Sequence, residues 1–457
     1  MTDDVRPTPR LSRLARPTRQ WVLLAGLFLL SLPAVTPRIY SSDEIQYFAY
    51  LRSIWFDHDL SFENEYTYFY DRGVARSDGF HETFLERTTD TGRRLNFGTI
   101  GCAILWSPFY AIGHVAAAIS GAPTDGFSKP YIAAVAYGSA VYGFLAIVLA
   151  IVCTRRLGFH GFTGALAVWL GTPLLFYMYL APPFSHACSA FTVALFTFVW
   201  LRVRHDWSPR GLAALGAVGA LMAMTREQDV FFIAGPAVDF TIALLAREAG
   251  GRRWEVGKLR GALAAATCFI AVYTPQLVTY KILNGHFGPH ASVAHKMSWY
   301  APHALQVLVS PEHGFFFWTP LAVLGIAGLF FIRRDHIWIC LLLVTALQIY
   351  IGGSVESWTV AGGFGQRRFV ALTTVLVIGV SALIEMAPVR KAWIAVLALC
   401  VYWNVALTAE FATGLMNRQW LEPGKNAYDA FVTLPRTAPD LVYRYLFDRQ
   451  SFYQHGG

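Results

Sequence analysis

The chain has 457 residues, 55% of them hydrophobic and only 14% charged, against roughly 25% charged in a soluble domain; water is excluded as its main solvent. The formal charge of +8 does not point to nucleic acid, because Lys and Arg fall in short clusters between apolar segments and form no single basic face. The six cysteines stand apart, nearly all in apolar segments, with neither metal nor disulfide spacing, and are expected to be small buried side chains.

An arginine-rich start precedes an apolar segment at 21–37. Its outline is that of a signal peptide, but a chain with many later spans needs no removable signal, so it is read as an uncleaved first helix. Further apolar segments, each long enough for a ~30 Å hydrocarbon core, follow at 98–119, 130–153, 162–180, 185–203, 210–225, 229–246, 261–283, 313–332, 336–352, 368–387 and 392–411. Lipid cannot satisfy an open strand edge, so the fold class is all-α. Basic clusters at Arg155/Arg156, Arg202/Arg204/Arg210, Arg247 to Arg260, Arg333/Arg334 and Arg390/Lys391 occupy every second connector. With the N-terminus inside, these clusters face the cytoplasm only if one segment before residue 150 fails to cross. The segment 98–119, interrupted by Gly98, Gly101, Pro108 and Gly113, is the expected exception, lying along the outer interface or re-entering. The expectation is then a polytopic protein of about eleven transmembrane helices. One membrane domain covers 1–411, with an external loop at 38–129 carrying juxtamembrane helices such as 44–56, and a short external tail covers 412–457.

The promising polar groups all fall on the external side of this arrangement. Ser42 is placed to cap a helix bearing Asp43 and Glu44 in its first turn. Capping explains an acid there, but the loop continues with Asp57, Asp59, Glu63 and Glu65 among Tyr66, Tyr68, Phe69 and Tyr70. Carboxylates hold hydroxyls and aromatic faces stack on sugar rings, so Asp43, Glu44, Tyr47 and Glu65 are candidates for a sugar site. His186, Arg226, Arg367 and Arg368 stand at external ends of spans, where headgroup anchoring is the competing role. Asp239, within a span, is expected to have a buried partner. Asp57-His58-Asp59 and His286/His290/His295 lack strong ligand spacing, and no metal is expected.

A first span followed by Asp43-Glu44 opening a long external loop resembles the GT-C glycosyltransferase superfamily, in the branch of the protein O-mannosyltransferases and the lipid A aminoarabinose transferase. In that branch the loop forms juxtamembrane helices followed by a hydrophobic helix that does not cross. Shorter likenesses are Asn96–Gly101 with Trp106–Phe109, Ser185-His186, Ser310–Phe315 and Gly362–Phe369. The last resembles a Gly-Gly-x-x-x-Gly-Pro-Arg-Phe pattern with Gln366-Arg367 in part of the Gly-Pro position, so Arg367 and Arg368 both remain candidates for its arginine.

The resemblance implies an inverting transfer from a polyprenyl-phosphate-linked sugar to a glycan, lipid or protein acceptor, without a cofactor. It implies Asp43 as general base with Glu44 assisting, and Arg367 or Arg368, then Arg226 and His186, holding the phosphate. It also implies the plasma (inner) membrane, a cytoplasmic N-terminus and an external or periplasmic active site. The competing classes are a transporter or flippase of lipid-linked saccharides, which calls for inverted repeats and midspan charges, and a glycan polymerase or ligase of another membrane fold.

Overall fold

The computed structural model describes residues 17–75, 77–245, 256–332, 335–448 and 451. The arginines before residue 17, those at 247, 252 and 253, and Arg333/Arg334 lie outside them. Among the described residues the chain is all-α, with two isolated β-bridges and no named strand.

The principal helices are α1 (Pro17–Ser31), α2 (Ser42–Arg52), α3 (Glu63–Asp71), α4 (Gly101–Ser120), α5 (Lys129–Arg156), α6 (Phe162–Gly171), α7 (His186–Val203), α8 (Pro209–Thr225), α9 (Ala234–Leu245), α10 (Val256–Asn284), α11 (Leu321–Leu329), α12 (Ile337–Ser354), α13 (Thr373–Met386), α14 (Arg390–Thr413) and α15 (Leu434–Phe447). Eight helices among the described residues are long and apolar enough to cross a bilayer, and three shorter apolar ones cover Arg19–Ala34, Phe162–Gly171 and Pro209–Thr225. The expected segment 162–180 is broken at Thr172-Pro173 and resumes as Leu174–Tyr179. Likewise 313–332 divides at Thr319-Pro320 into Phe315–Trp318 and α11. Proline carries no N–H for the helix ladder, which accounts for both breaks.

The helices meet closely where side chains are missing. A Cβ on Gly379 of α13 would lie 1.8 Å from the Gly325 carbonyl oxygen of α11, and one on Gly328 would lie 1.9 Å from the Gly379 carbonyl oxygen. Such contact supplies the dispersion energy that joins helices in lipid. Asp239 in α9 is buried and held by Arg204 at 2.8 and 3.0 Å, by the Trp200 indole at 2.7 Å and by His336 at 2.6 Å. This cluster is a structural clamp joining α7, α9 and the start of α12. Five cysteines are buried, but Cys268 is half-exposed on α10, a helix whose apolar surface mostly faces outward; the expectation of burial fails there.

The loop after α1 has its own hydrophobic core, built from Ile45, Phe48, Tyr50, Phe62, Tyr66, Trp106 and Tyr110 among others. The helix formed by α2 and its continuation Ser53–Asp57 runs beside the middle of α4, with Phe48 and Phe56 against Tyr110 and Trp55 Nε1 donating to Ser107 at 3.1 Å. Gly98, just before α4, lies under the Tyr47 ring, and Gly126, just after it, lies against Phe56 and Arg52. Along its length α4 packs on the first half of α5, through Trp106 Nε1 donating to Ser139 at 2.9 Å and the Tyr142 hydroxyl donating to the Leu105 carbonyl at 2.7 Å.

Candidate active site

The cap of α2 is Ser41, one residue earlier than expected. Ser41 Oγ accepts from the Glu44 amide at 3.4 Å, and Glu44 Oε2 accepts from the Tyr40 and Ser41 amides at 2.8 and 3.0 Å. A capping box needs its acid three residues after the cap, a spacing that Ser41 and Glu44 satisfy and Ser42 does not. This turns Glu44 inward, fully buried with Oε1 unpartnered. Burial pushes its carboxyl up from 4.5 to about 8 against the three hydrogen bonds, with the Asp43 charge adding to the rise.

Beside Glu44, α2 presents Asp43, Gln46 and Tyr47, at i, i+3 and i+4, to a cavity of about 800 Å³. Burial raises the Tyr47 hydroxyl well above its ordinary range, so it is a hydrogen-bonding group and not a base. Gln46 ties this face to the start of α4: its Oε1 accepts from the Phe97 amide at 2.7 Å, and its carbonyl accepts from Asn96 Nδ2 at 3.0 Å.

The cation set comes from distant segments. Arg367 Nη1 donates to Asp43 Oδ2 at 2.8 Å, and its guanidinium lies 5.3 Å from the Phe184 ring centre. Its stem packs on Gly363, where a Cβ would come within 3.1 Å of Arg367 Cδ. Gln366 anchors the same turn by donating to the Trp358 and His313 carbonyls at 3.0 and 3.3 Å. Arg368 donates to the Ser357 carbonyl at 2.8 Å and hydroxyl at 3.2 Å. Arg226 donates to Gln228 Oε1 at 3.0 Å, and Gln228 Nε2 donates to the Arg368 carbonyl at 3.0 Å. Arg226 Nη1 is buried without a partner, as are both ring nitrogens of His186, which packs 4.3 Å from the Tyr177 ring. Three guanidinium groups and one imidazole thus converge on the cavity wall that carries Asp43.

Six of the eight candidate residues line this cavity: Asp43, Tyr47, His186, Arg226, Arg367 and Arg368. Glu44 and Glu65 do not. Glu65 lies in a buried pair with Arg52 at 3.0 Å, and burial raises its carboxyl to about 7 despite that partner.

The sequence matches no protein-family model and no curated protein. Among solved structures, the crystal structure of ArnT from Cupriavidus metallidurans bound to undecaprenyl phosphate matches with a TM-score of 0.55 over 95% of this chain and 73% of that one, at 13% identity. The chain has the GT-C fold. At that identity the likeness shows the fold alone, and the chemistry of this cavity rests on its own side chains.

Sequence reasoning passed over Glu227, Gln228, Tyr273, Tyr280 and Lys296 as site residues, all on the cavity wall. Glu227 and Gln228 directly follow Arg226, so their position after a span was the available signal; the two tyrosines had none, being ordinary apolar-helix residues. No three His, Cys, Asp or Glu side chains are placed to hold a metal ion among the described residues. Asp57 pairs with Arg52 and Asn64, and Asp59 accepts from Ser53 at 2.8 Å.

Proposed function

We propose that this protein is an inverting glycosyltransferase of the plasma (inner) membrane, moving a sugar from a polyprenyl-phosphate donor to a hydroxyl of a glycan, lipid or protein acceptor on the external face. The observation that carries the proposal is the Asp43–Arg367 contact at 2.8 Å on the wall of a cavity that also gathers Arg226, Arg368 and His186. A proton acceptor and phosphate-binding forks border one cavity, so that a single substrate can meet both in one displacement. The ArnT structure, by its own description, holds undecaprenyl phosphate, which supports a polyprenyl-phosphate ligand for the same fold.

In the proposed reaction the acceptor oxygen attacks the anomeric carbon while the bond to the phosphate oxygen breaks. The electron pair leaves with the phosphate, and the acceptor proton passes to the Asp43 carboxylate. The Asp43 side chain is 40% exposed, so an acceptor hydroxyl has access to it. Arg367 spends one N–H on Asp43 and retains others for phosphate oxygens, while Arg226 Nη1, buried and unpartnered, is already stripped of water. Charge growing on the departing phosphate is then met by donors fixed beforehand. Glu44, committed to the capping box, positions Asp43 and does not meet substrate. The cavity wall also carries apolar side chains, Ala223 of α8, Phe231, and Phe269 and Leu277 of α10. Since α10 is mostly exposed outward, this strip suits a polyprenyl chain entering from lipid.

The test is transfer of label from a radiolabelled polyprenyl-phosphate sugar by the purified protein, compared with Asp43→Asn. Label released or transferred equally by both proteins would remove the assignment of the base.

A further inference from the structure

We propose that the cavity holds a second polar subsite, separate from the Asp43–Arg367 pair, in which Glu227 and Tyr280 bind the hydroxyl groups of a sugar ring; the assignment rests on the glycosyltransferase function proposed above. Glu227 opens the short helical turn Glu227–Ile233 after α8 and lines the cavity. Its neighbour Arg226 turns away to Gln228. Among the described residues the Glu227 carboxylate has no hydrogen bond or ion pair, and the residue is only partly exposed. A carboxylate desolvated without a partner is costly, and the natural reason to keep one on a cavity wall is a ligand that completes it.

Tyr280 on α10 supplies the second, independent observation. It is 6% exposed, lines the same cavity, and its hydroxyl has no partner. Two turns earlier on that helix, Tyr273 also lines the cavity, within electrostatic reach of Glu227. Glu227 follows α8 and Tyr280 lies on α10, whereas Asp43 opens α2 and Arg367 precedes α13, so the two sets of groups reach one cavity wall from different elements.

The donor and acceptor inventory selects the ligand. An ionised carboxylate only accepts, a phenol donates and accepts, and the ring of Tyr273 offers an aromatic face. An anion is repelled by Glu227 and attracted to the arginines, and a hydrocarbon would leave both polar groups unsatisfied. A ring bearing several hydroxyls satisfies them all. The ring belongs either to the donor's glycosyl group or to a saccharide acceptor, and both present the same chemistry.

The experiment uses the full-length protein in nanodiscs with Glu227→Gln and Tyr280→Phe. The probes are undecaprenyl phosphate, a panel of undecaprenyl-phosphate hexoses and pentoses, and saccharide acceptors. Both variants are expected to bind undecaprenyl phosphate within about twofold of wild type, which also reports an intact fold. If the donor supplies the ring, affinity for the preferred sugar lipid falls about tenfold in Glu227→Gln, as loss of a hydrogen bond to a charged group requires, and by a smaller factor in Tyr280→Phe. If the acceptor supplies it, donor affinity holds and the acceptor KM rises by a similar factor. The subsite is overturned if both variants match wild type for every sugar lipid and acceptor, or if undecaprenyl phosphate affinity falls in step with sugar-lipid affinity. A wild type that binds undecaprenyl phosphate but gains nothing from any attached sugar, with an acceptor KM that neither variant changes, overturns the subsite alone. One that binds none of these lipids overturns the glycosyltransferase function, and the subsite with it.

Discussion

Arg367 donates from Nη1 to Asp43 Oδ2 across 2.8 Å, joining the first turn of α2 to the segment that leads into α13. The contact is half-open: the arginine side chain is 18% exposed and the aspartate 40%. Solvent on the aspartate side leaves room for an acceptor, while the guanidinium is held against Phe184.

Asp43→Asn keeps the shape of the side chain and a neutral acceptor for Arg367 but removes the proton acceptor. Transfer is expected to fall by about 10²–10⁴, the usual contribution of a positioned base, while donor affinity changes by no more than a few-fold. Separate measurements of donor binding and single-turnover transfer decide this; transfer within a few-fold of wild type would show that Asp43 is not the base.

Arg367→Ala is expected to weaken donor binding and to slow transfer further, because the charge meets the phosphate in the ground state and more strongly as the bond breaks. Arg367→Lys should recover only part of the loss, since an ammonium lacks the planar fork. Arg368→Ala is expected to have the smaller effect of the two on transfer, because two of its N–H groups are engaged by Ser357. The reverse order in a titration with polyprenyl-phosphate sugar would reassign the phosphate site to Arg368.

Glu44 links stability to pH. Its carboxyl is raised in the folded protein from 4.5 to about 8, so between those values the folded state binds more protons than the unfolded chain, and stability falls as pH rises. The contribution is fully present below about 4.5, is lost progressively towards pH 8 and is level above it. Glu44→Gln keeps a capping-box acceptor without the titration. Thermal unfolding in detergent at pH 5 and pH 8 should therefore show a larger pH-dependent decrease in wild type than in the variant; equal decreases would contradict the assignment.

Topology is tested by cysteines placed at Ser42, Lys296 and Gly363. These are expected to react with an impermeant thiol reagent from outside intact cells, and one at Gly158 is not. Reporter fusions after Gly121 and after Gly158 should occupy opposite compartments, as a non-crossing α4 followed by a crossing α5 requires. A cytoplasmic signal at residue 121 would mean that α4 crosses.

Membrane residence, the helical class and the acidic opening of the first long loop were all written in the sequence by itself. Each depends on local features: the length of apolar segments against a fixed bilayer thickness, the obligation of backbone groups in lipid to bond within a helix, and the Ser41-to-Glu44 spacing of a cap. Tertiary structure alone decided the rest. Glu65, expected at the sugar site, pairs with Arg52 and does not line the cavity. Arg226 and Arg368, far apart in the chain, are joined through Gln228, and Glu227 acquires a role only where its turn and Tyr273 of α10 border the same cavity. The reason is physical: a span's length and a cap's spacing are set by neighbours along the chain, whereas the partner of a buried charge is set by which helices pack together, through contacts such as Gly325 against Gly379 that carry no chemical trace of the site they hold open.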